Sequence, residues 1–559
     1  MTISTNLRPV RHIYQEPGDV NPGATEAAGG EPPGTTRREL LKRGGAFAAL
    51  WYLHCVAPPS TVLGSARRQV MAHPGAGLQF RPHRWGPGQP IEEFLVGFST
   101  SATQVEGGGL NNNFTRWAQK RSGWVPVNPG GDHYNRVAQD LDLMKADGVN
   151  SYSLTIDWGR IEPTEGWYDE QALAHYRREI EMANARGITV VVNLLEYAIP
   201  TWLEDKGGIL SPDAVDRFEK FSRLCADRFG DRVSLWTTMN EPNTQVIAGY
   251  LAGIWPPGES SVTRMCDAYN ALLRMHAASA RALHASGREH GRPARVSIAH
   301  IDDKAVAYQW WNPLDQAAAL VVEYASSRWF PDSIAAGRAL WPIGNGKTIK
   351  DLRKSMDWLG LDFYGRTYLH VTWPGDGRSG SPIAFHSHPS SVPDGTPYQA
   401  DSDGIYGVGM ELYNRYRLPL IVIENGYDPP TTPPGAEDLR VRAFIDTQSA
   451  LWHLQEAGVP VFGSFQWTFC DTPEWQDGNS QHYGWRYTDR RPKPGNAVFA
   501  QFARTGTVPS ELLTTRNLQS PAERDPYCAE QLGNLRRQQR WRQDRLPDRG
   551  APLGTTLGA

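Results

Sequence analysis

The chain has 559 residues and a mass of 62.2 kDa, with a formal net charge of -3 at pH 7 and a pI near 6.6. That balance gives no bulk reason to bind nucleic acid, and a mean hydropathy of -0.50 without a run of ~20 apolar residues excludes an ordinary membrane span. Five irregularly spaced cysteines, Cys55, Cys225, Cys266, Cys470 and Cys528, form neither a disulfide framework nor a zinc pattern.

Residues 1–34 are rich in Pro, Gly and polar side chains with no apolar period, which predicts disorder. TTRRELLKRGGAFAALWYLHCVAPPS follows, in which Arg37 and Arg38 precede an apolar stretch from Ala46 to Ala57. This order resembles a twin-arginine export signal, and the stretch is too short to span a bilayer. An amphipathic helix would explain the apolar run but not the arginines ahead of it. The expected cleavage point is the small-residue site at Gly64, Ser65 and Ala66; Cys55 follows His54 and lacks the small neighbour of a lipid-modified cysteine. The leader is therefore set at 1–78, and the resemblance implies recognition by the twin-arginine export machinery and a periplasmic or extracellular mature protein without a stable membrane span.

From residue 79 a strand-then-helix rhythm begins. FLVGFS, NSYSLTI, ITVVVNLLE, VSLWTTMNE, RVSIAHI, MDWLGLDFYG, LPLIVIEN and VPVFGSFQW read as buried parallel strands, each followed by enough chain to return as a helix. In GDHYNRVAQDLDLMKADG, for example, Tyr134, Val137, Leu141 and Met144 recur at helical spacing and Gly148 supplies the stop. Eight such units predict closure into a (β/α)8, or TIM, barrel over residues 79–510. An open doubly wound sheet is the competitor, but no GxGxxG loop follows the first strand. Residues 372–404, dense in Gly, Pro, Ser and His, are a long insertion at a C-terminal strand end and either a candidate wall of the site or, with equal weight, a floppy surface loop. Residues 511–559 form a tail, partly disordered, with an Arg/Gln-rich run LGNLRRQQRWRQDR.

Two glutamates stand where apolar strands give way to turn formers: Glu241 in TTMNEPN and Glu424 in IVIENGY. Paired carboxylates on two strand ends of a barrel can face one another across a pocket, which is what glycosidic bond cleavage needs. These two segments, with GFSTSATQVEG, DWGRIEP, DFYG and FQWTFCDTPEWQDG, resemble the signature motifs of glycoside hydrolase family 1 in family order from Phe94 to Phe502.

That resemblance implies a retaining β-glycosidase of the β-glucosidase type, acting on terminal non-reducing β-D-glycosides through a glycosyl-enzyme ester, with transglycosylation as a side reaction. It implies Glu241 as acid/base, Glu424 as nucleophile and Tyr364 as hydrogen-bond donor to the nucleophile. It further implies Asn240 on the sugar 2-hydroxyl, Gln104, Glu474 and Trp475 on the outer hydroxyls and Trp467 as an aromatic platform, although a strand Trp is more often core. Glu474 would repel a 6-phosphate, so phosphorylated sugars are not expected. No cofactor or metal is implied; the adjacent acids Asp302 and Asp303 read as helix caps.

Three family positions differ. Ser153 stands where the family has Arg; Glu196, Tyr197 and Ala198 replace His, Trp and Asp; and Asp362 replaces Asn. The exchange removes a cation and adds carboxylates, which predicts an elevated pKa for Glu424. A degenerate, non-catalytic sugar-binding barrel is the alternative from another class.

Overall fold

The protein is described by a computed structural model covering residues 77–543 except 87–88, 122–130, 372–382, 387–400 and 430–435. Residues 1–76 of the leader, with the arginine pair and Cys55, and most of the 372–404 insertion lie outside the described residues; Leu78, assigned to the leader, is instead buried and pairs with Val508, because a short strand of the domain begins there.

Eight parallel strands close into a barrel: β1 (Leu95–Thr100), β2 (Ser151–Thr155), β3 (Thr189–Asn193), β4 (Leu235–Asn240), β5 (Arg295–Ile301), β6 (Leu359–Asp362), β7 (Leu420–Glu424) and β8 (Val461–Trp467). They follow chain order around the ring, with β8 beside β1. Almost every strand residue is buried, as expected where helices cover the outside and side chains fill the inside, and this is why the strands read as unbroken apolar runs.

The crossovers carry the helices α1 (His133–Asp147), α2 (Glu170–Ala185), α3 (Ala214–Phe229), α4 (Val262–Glu289), α5 (Pro313–Glu323), α6 (Ser402–Tyr416), α7 (Ala436–Glu456) and α8 (Asn496–Thr505). Local chemistry sets their ends. Asp169 accepts hydrogen bonds from the Gln171 and Ala172 amides at the start of α2, and Ser261 does the same for Arg264 in α4. Gly148 ends α1 at φ 92°, where a Cβ would stand 2.3 Å from Arg504 Cγ on α8, so conformation and space both demand glycine.

The main core lies between strands and helices and includes the fully buried Trp158, Trp236, Trp329 and Trp485. A smaller cluster, including Leu95, Val191, Leu235, Ile421 and Phe465, plugs the barrel interior. Outside the ring, Thr367–Val371 pairs with Ala305–Ala307 and with Ile383–His386.

The described part of the tail is not detached. Helix α9 (Pro526–Gln543) packs against α6, burying Cys528 and Leu535, while Arg516 and Arg524 pair with Asp403 at 2.9 and 2.6 Å. All four described cysteines are buried free thiols. No helix among the described residues is long and apolar enough to cross a membrane.

Candidate active site

Strand register brings the acidic residues to one rim. Asp362 at the end of β6 is the cross-strand partner of Glu424 at the end of β7. Glu196, just past β3, bridges to Asn240 at the end of β4, and Glu241 is the next residue. Side chains at the C-terminal ends of barrel strands converge on the axis, so four carboxylates from four strands meet there. Oxygens of Glu241, Asp362 and Glu424 all lie within 4.8 Å of one another. The same spacing would admit a shared cation.

The cavity is lined by Glu196, Glu241, Asp303, Glu424, Glu474 and Asp477 among its carboxylates, with Tyr197, Asn240, Tyr364, Trp467 and Trp475 between them. No Lys, Arg or His is among its described lining residues.

Hydrogen bonds fix most of these groups. Tyr364 donates to Glu424 Oε2 at 3.0 Å, and Tyr197 donates to Glu241 Oε2 at 2.6 Å. Thr155 and Asn193 donate to Glu196 Oε2 at 2.5 and 3.2 Å. Gln104 Nε2 donates to one oxygen of Glu474 at 3.0 Å and Trp467 Nε1 to the other at 2.9 Å, leaving Gln104 Oε1 buried without a partner among the described residues. Asp362 differs: it is fully buried, and neither of its oxygens has a hydrogen-bond partner among the described residues.

Burial, with like charge added for all but Glu241, pushes Glu196, Glu241, Asp303, Asp362, Glu424 and Glu474 upward. Glu196 rises to about 8 through burial and the field of Glu241, against the pull of its Thr155 bond. Glu474 also rises to about 8 through burial, opposed by its Trp467 and Gln104 bonds. Glu241 is raised by burial and restrained by the Tyr197 bond. Glu424 and Asp362 are held well above the carboxylate range by burial, Glu424 further by Asp362, Glu196 and Glu241, and Asp362 by Glu241, Glu196 and Asp303. Perturbed acids gathered in a cleft are a mark of functional sites.

Backbone strain gathers at the same rim. Tyr197, Glu241 and Trp475 have φ of 57°, 39° and 38°, a left-handed conformation costing ~1–3 kcal/mol for a side-chain-bearing residue unless the surroundings impose it. Pro242 at the first position of the short helix Pro242–Val246 fixes the chain on one side of Glu241, and the Glu241 amide donates to Ala299 of β5 at 2.8 Å on the other.

The structure thus brings Gln104, Glu196, Tyr197, Asn240, Glu241, Asp362, Tyr364, Glu424, Trp467, Glu474 and Trp475 to one place. Trp467 is buried and lines the cavity rather than filling the core. Ser153 is buried in β2.

The reading of Asp302 and Asp303 as helix caps is corrected. No helix starts there; the strand Ala305–Ala307 follows, Asp302 turns away to Arg328, and Asp303 lines the cavity. The sequence reading also passed over Trp255, whose ring lies 4.9 Å from Tyr197 and 5.5 Å from Trp475, completing an aromatic wall with Phe114. It lies beyond a π-helical turn at Ile247–Leu251, and no strand end announces it.

A closed eight-stranded barrel with two facing glutamates at its C-terminal rim defines a glycoside-hydrolase type of site. The chain belongs to glycosyl hydrolase family 1, whose profile matches residues 89–498. It is 30% identical over 447 residues to beta-glucosidase 47 of Arabidopsis thaliana, covering 71% of this chain and 81% of that protein. It is 28% identical over 497 residues to beta-glucosidase 1B of Phanerodontia chrysosporium, covering 79% and 91%. Among solved structures, a beta-glycosidase from Pyrococcus horikoshii superposes with a TM-score of 0.67 at 26% identity, covering 78% of this chain and 98% of that one.

Proposed function

We propose that the protein is a retaining β-glycosidase that hydrolyses terminal β-D-glycosides by double displacement. The observation that carries this reading is the approach of the Glu241 and Glu424 oxygens to within 4.8 Å. Retaining enzymes hold their carboxyls ~5–5.5 Å apart, whereas inverting ones leave ~6.5–9.5 Å for a water.

Glu424 attacks the anomeric carbon, the bond from that carbon to the aglycone oxygen breaks, and Glu241 delivers its proton to the departing oxygen. Glu241, now a carboxylate, takes a proton from water as the water oxygen bonds to the anomeric carbon and the ester bond to Glu424 breaks. Tyr364 steadies the charge that returns to Glu424, and the Tyr197 hydroxyl orients Glu241. Loss of the Glu424 charge in the ester lowers the pKa of Glu241, fitting it to act as base in the second half. Trp467 and Trp475 offer apolar faces for ring C–H groups, while Gln104 and Glu474 offer polar atoms for hydroxyls. Because water and sugar hydroxyls are chemically alike, an acceptor sugar at this step gives transglycosylation.

The test is Glu424→Ala with a β-glycoside bearing a good leaving group. Hydrolysis should vanish, and azide should restore turnover with inverted product, since a small anion fits the emptied face. Retained stereochemistry or near-parental activity would overturn the assignment.

Export through the twin-arginine route is proposed on the Arg37–Arg38 pair and the apolar run behind it. Replacing both arginines with lysine should leave active enzyme in the cytoplasm, because the signal is read by a receptor. Undiminished export of that double variant would reject it.

A further inference from the structure

Helix α5 is apolar on both of its faces, and only one of them is covered. Its inner face lies against the small sheet outside the ring. Ala319 and Val322 pack on Ala305 and Leu369, while Asp315 is fully buried, accepts from the Gln309 and Val371 amides at 3.0 and 2.8 Å and pairs with His370 at 3.0 Å. Glu323 closes that face by pairing with Lys304 and Arg328, both at 2.8 Å.

The outer face is the unusual one. Pro313, Leu314, Ala317, Leu320 and Val321, with Tyr324 in the π-helical turn that follows, recur at helical spacing and form one stripe about 120° wide at 3.6 residues per turn. Leu314 is 45% exposed, Leu320 49% and Val321 38%. Tryptophans extend the stripe at both ends. Trp310 and Trp311, 75% and 64% exposed with rings 5.8 Å apart, precede the helix, and Gln316 ties them to it by donating to the Trp310 carbonyl. At the other end the Tyr324 hydroxyl donates to the carbonyl of Trp341, which is 53% exposed. A surface helix normally turns polar residues outward, and one that is apolar all round is normally buried. From Ala305 to Val322 the single charged residue is Asp315, and it is buried on the inner face.

From these observations we infer that the stripe is the contact surface of a symmetric homodimer, in which α5 of one chain packs against α5 of a second copy. The inference goes beyond the glycosidase reading and does not depend on it.

Area and charge select the occupant. At ~250 Å² for a whole Trp and less for Leu and Val, the six side chains with the exposures given above present on the order of 700 Å². The largest apolar patch of an ordinary monomer is ~300–600 Å², and a stable protein–protein interface takes ~800 Å² from each partner. The patch is therefore of dimer size. A two-fold axis through the middle of the stripe lays it upon its own copy, and an uncharged stripe meets that copy without like-charge repulsion. The alternatives fit less well. A sugar needs polar groups beside an aromatic plane to take its hydroxyls, and a lipid surface favours Lys or Arg flanking the apolar face. Neither Lys nor Arg occurs from Ala305 to Ser327. The tryptophans at the two ends supply the large rigid anchors on which interface affinity depends.

The experiment is sedimentation velocity of the full chain over a concentration series, with circular dichroism confirming that each variant is folded. The parent should sediment as a dimer at about 10 µM. Leu314→Glu and Leu320→Glu set like charges face to face and should each leave monomers at that concentration. Trp311→Ala adds no charge and should raise the dissociation constant by about tenfold or more. All three side chains are exposed, so the core is untouched. A parent that stays monomeric throughout the series overturns the inference; if that monomer cosediments with phosphatidylcholine–phosphatidylglycerol vesicles, the occupant is a membrane instead. A dimer that all three substitutions leave intact overturns it equally, because its interface then lies elsewhere.

Discussion

Asp302 and Asp303 are neighbours in the chain, and burial raises both, but their partners differ. Asp302 enters a compensated network: Arg328 pairs with it and also with Glu323 at 2.8 Å and Glu411 at 3.0 Å, while Lys304 pairs with the same two glutamates at 2.8 and 3.3 Å. There Arg328 and Lys304 outweigh burial and draw Glu411 down to about 2. Asp303 faces the cavity, where burial and the charges of Glu241 and Asp302 drive it well above its ordinary value. Two buried acidic clusters, one residue apart, thus serve different ends. The first has its cations beside it, although burial still lifts Asp302 to about 6; the second has no cationic side chain among its described lining residues.

The sharpest way to break this contrast is to remove the nucleophile that the second cluster surrounds. Glu424→Ala should lower kcat by on the order of 10^4-fold or more, read by steady-state hydrolysis of a nitrophenyl glycoside, without lowering the melting temperature. The next largest effect belongs to the first cluster. Arg328→Met should cost about 3–5 kcal/mol in denaturant unfolding, because it strands Asp302, Glu323 and Glu411 as buried charges short of a partner. Asp362→Asn should do the opposite and raise stability at pH 7, since it deletes an uncompensated acid. Equal destabilisation by both would show that the clusters do not differ.

Much of this was legible in the chain. β3 and β7 announce themselves as apolar runs because both faces of a barrel strand are covered, and Glu241 and Glu424 stand out because polar turn residues follow directly. Asp303 was not legible. Paired acids at a strand end look the same whether they cap a helix, bind an arginine or face a cavity, and only the register of β5 against β6 separates them. The C-terminal helix was obscure for a related reason. An Arg-rich segment reads as solvated, and the ion pairs just ahead of it, from Arg516 and Arg524 to Asp403, depend on where α6 lies in space.

Acids raised on folding also make stability depend on pH. Glu196 and Glu474 each rise from the carboxylate range to about 8, so the folded state binds more protons than the unfolded one between those limits. Stability from this source is complete below about pH 4 and is lost as pH climbs through about 8, the reverse of a salt-bridged carboxylate. Urea midpoints of the parent should therefore fall from pH 5 towards pH 8 by more than those of Glu196→Gln. The observation that would count against this is an identical slope in both proteins.

The smallest expected effect is a shift in pH profile, and it bears directly on the missing cation. Glu424 must be ionised to attack, and burial with Asp362, Glu196 and Glu241 opposes that ionisation while the Tyr364 bond favours it. The acid limb of kcat/KM, which reports the free enzyme, should thus lie above the ordinary carboxylate range when measured with an uncharged glycoside, so that only enzyme groups titrate. Asp362→Asn removes the largest charge acting on the nucleophile and should move the limb to lower pH by about one unit, with Glu196→Gln following by less. Ser153→Arg tests the same field by adding charge of the other sign, and should shift the limb in the same direction if the folded variant accommodates it. A parental limb at an ordinary carboxylate pH, unmoved by all three substitutions, would mean that water or the sugar itself sets the ionisation of Glu424 rather than its acidic neighbours.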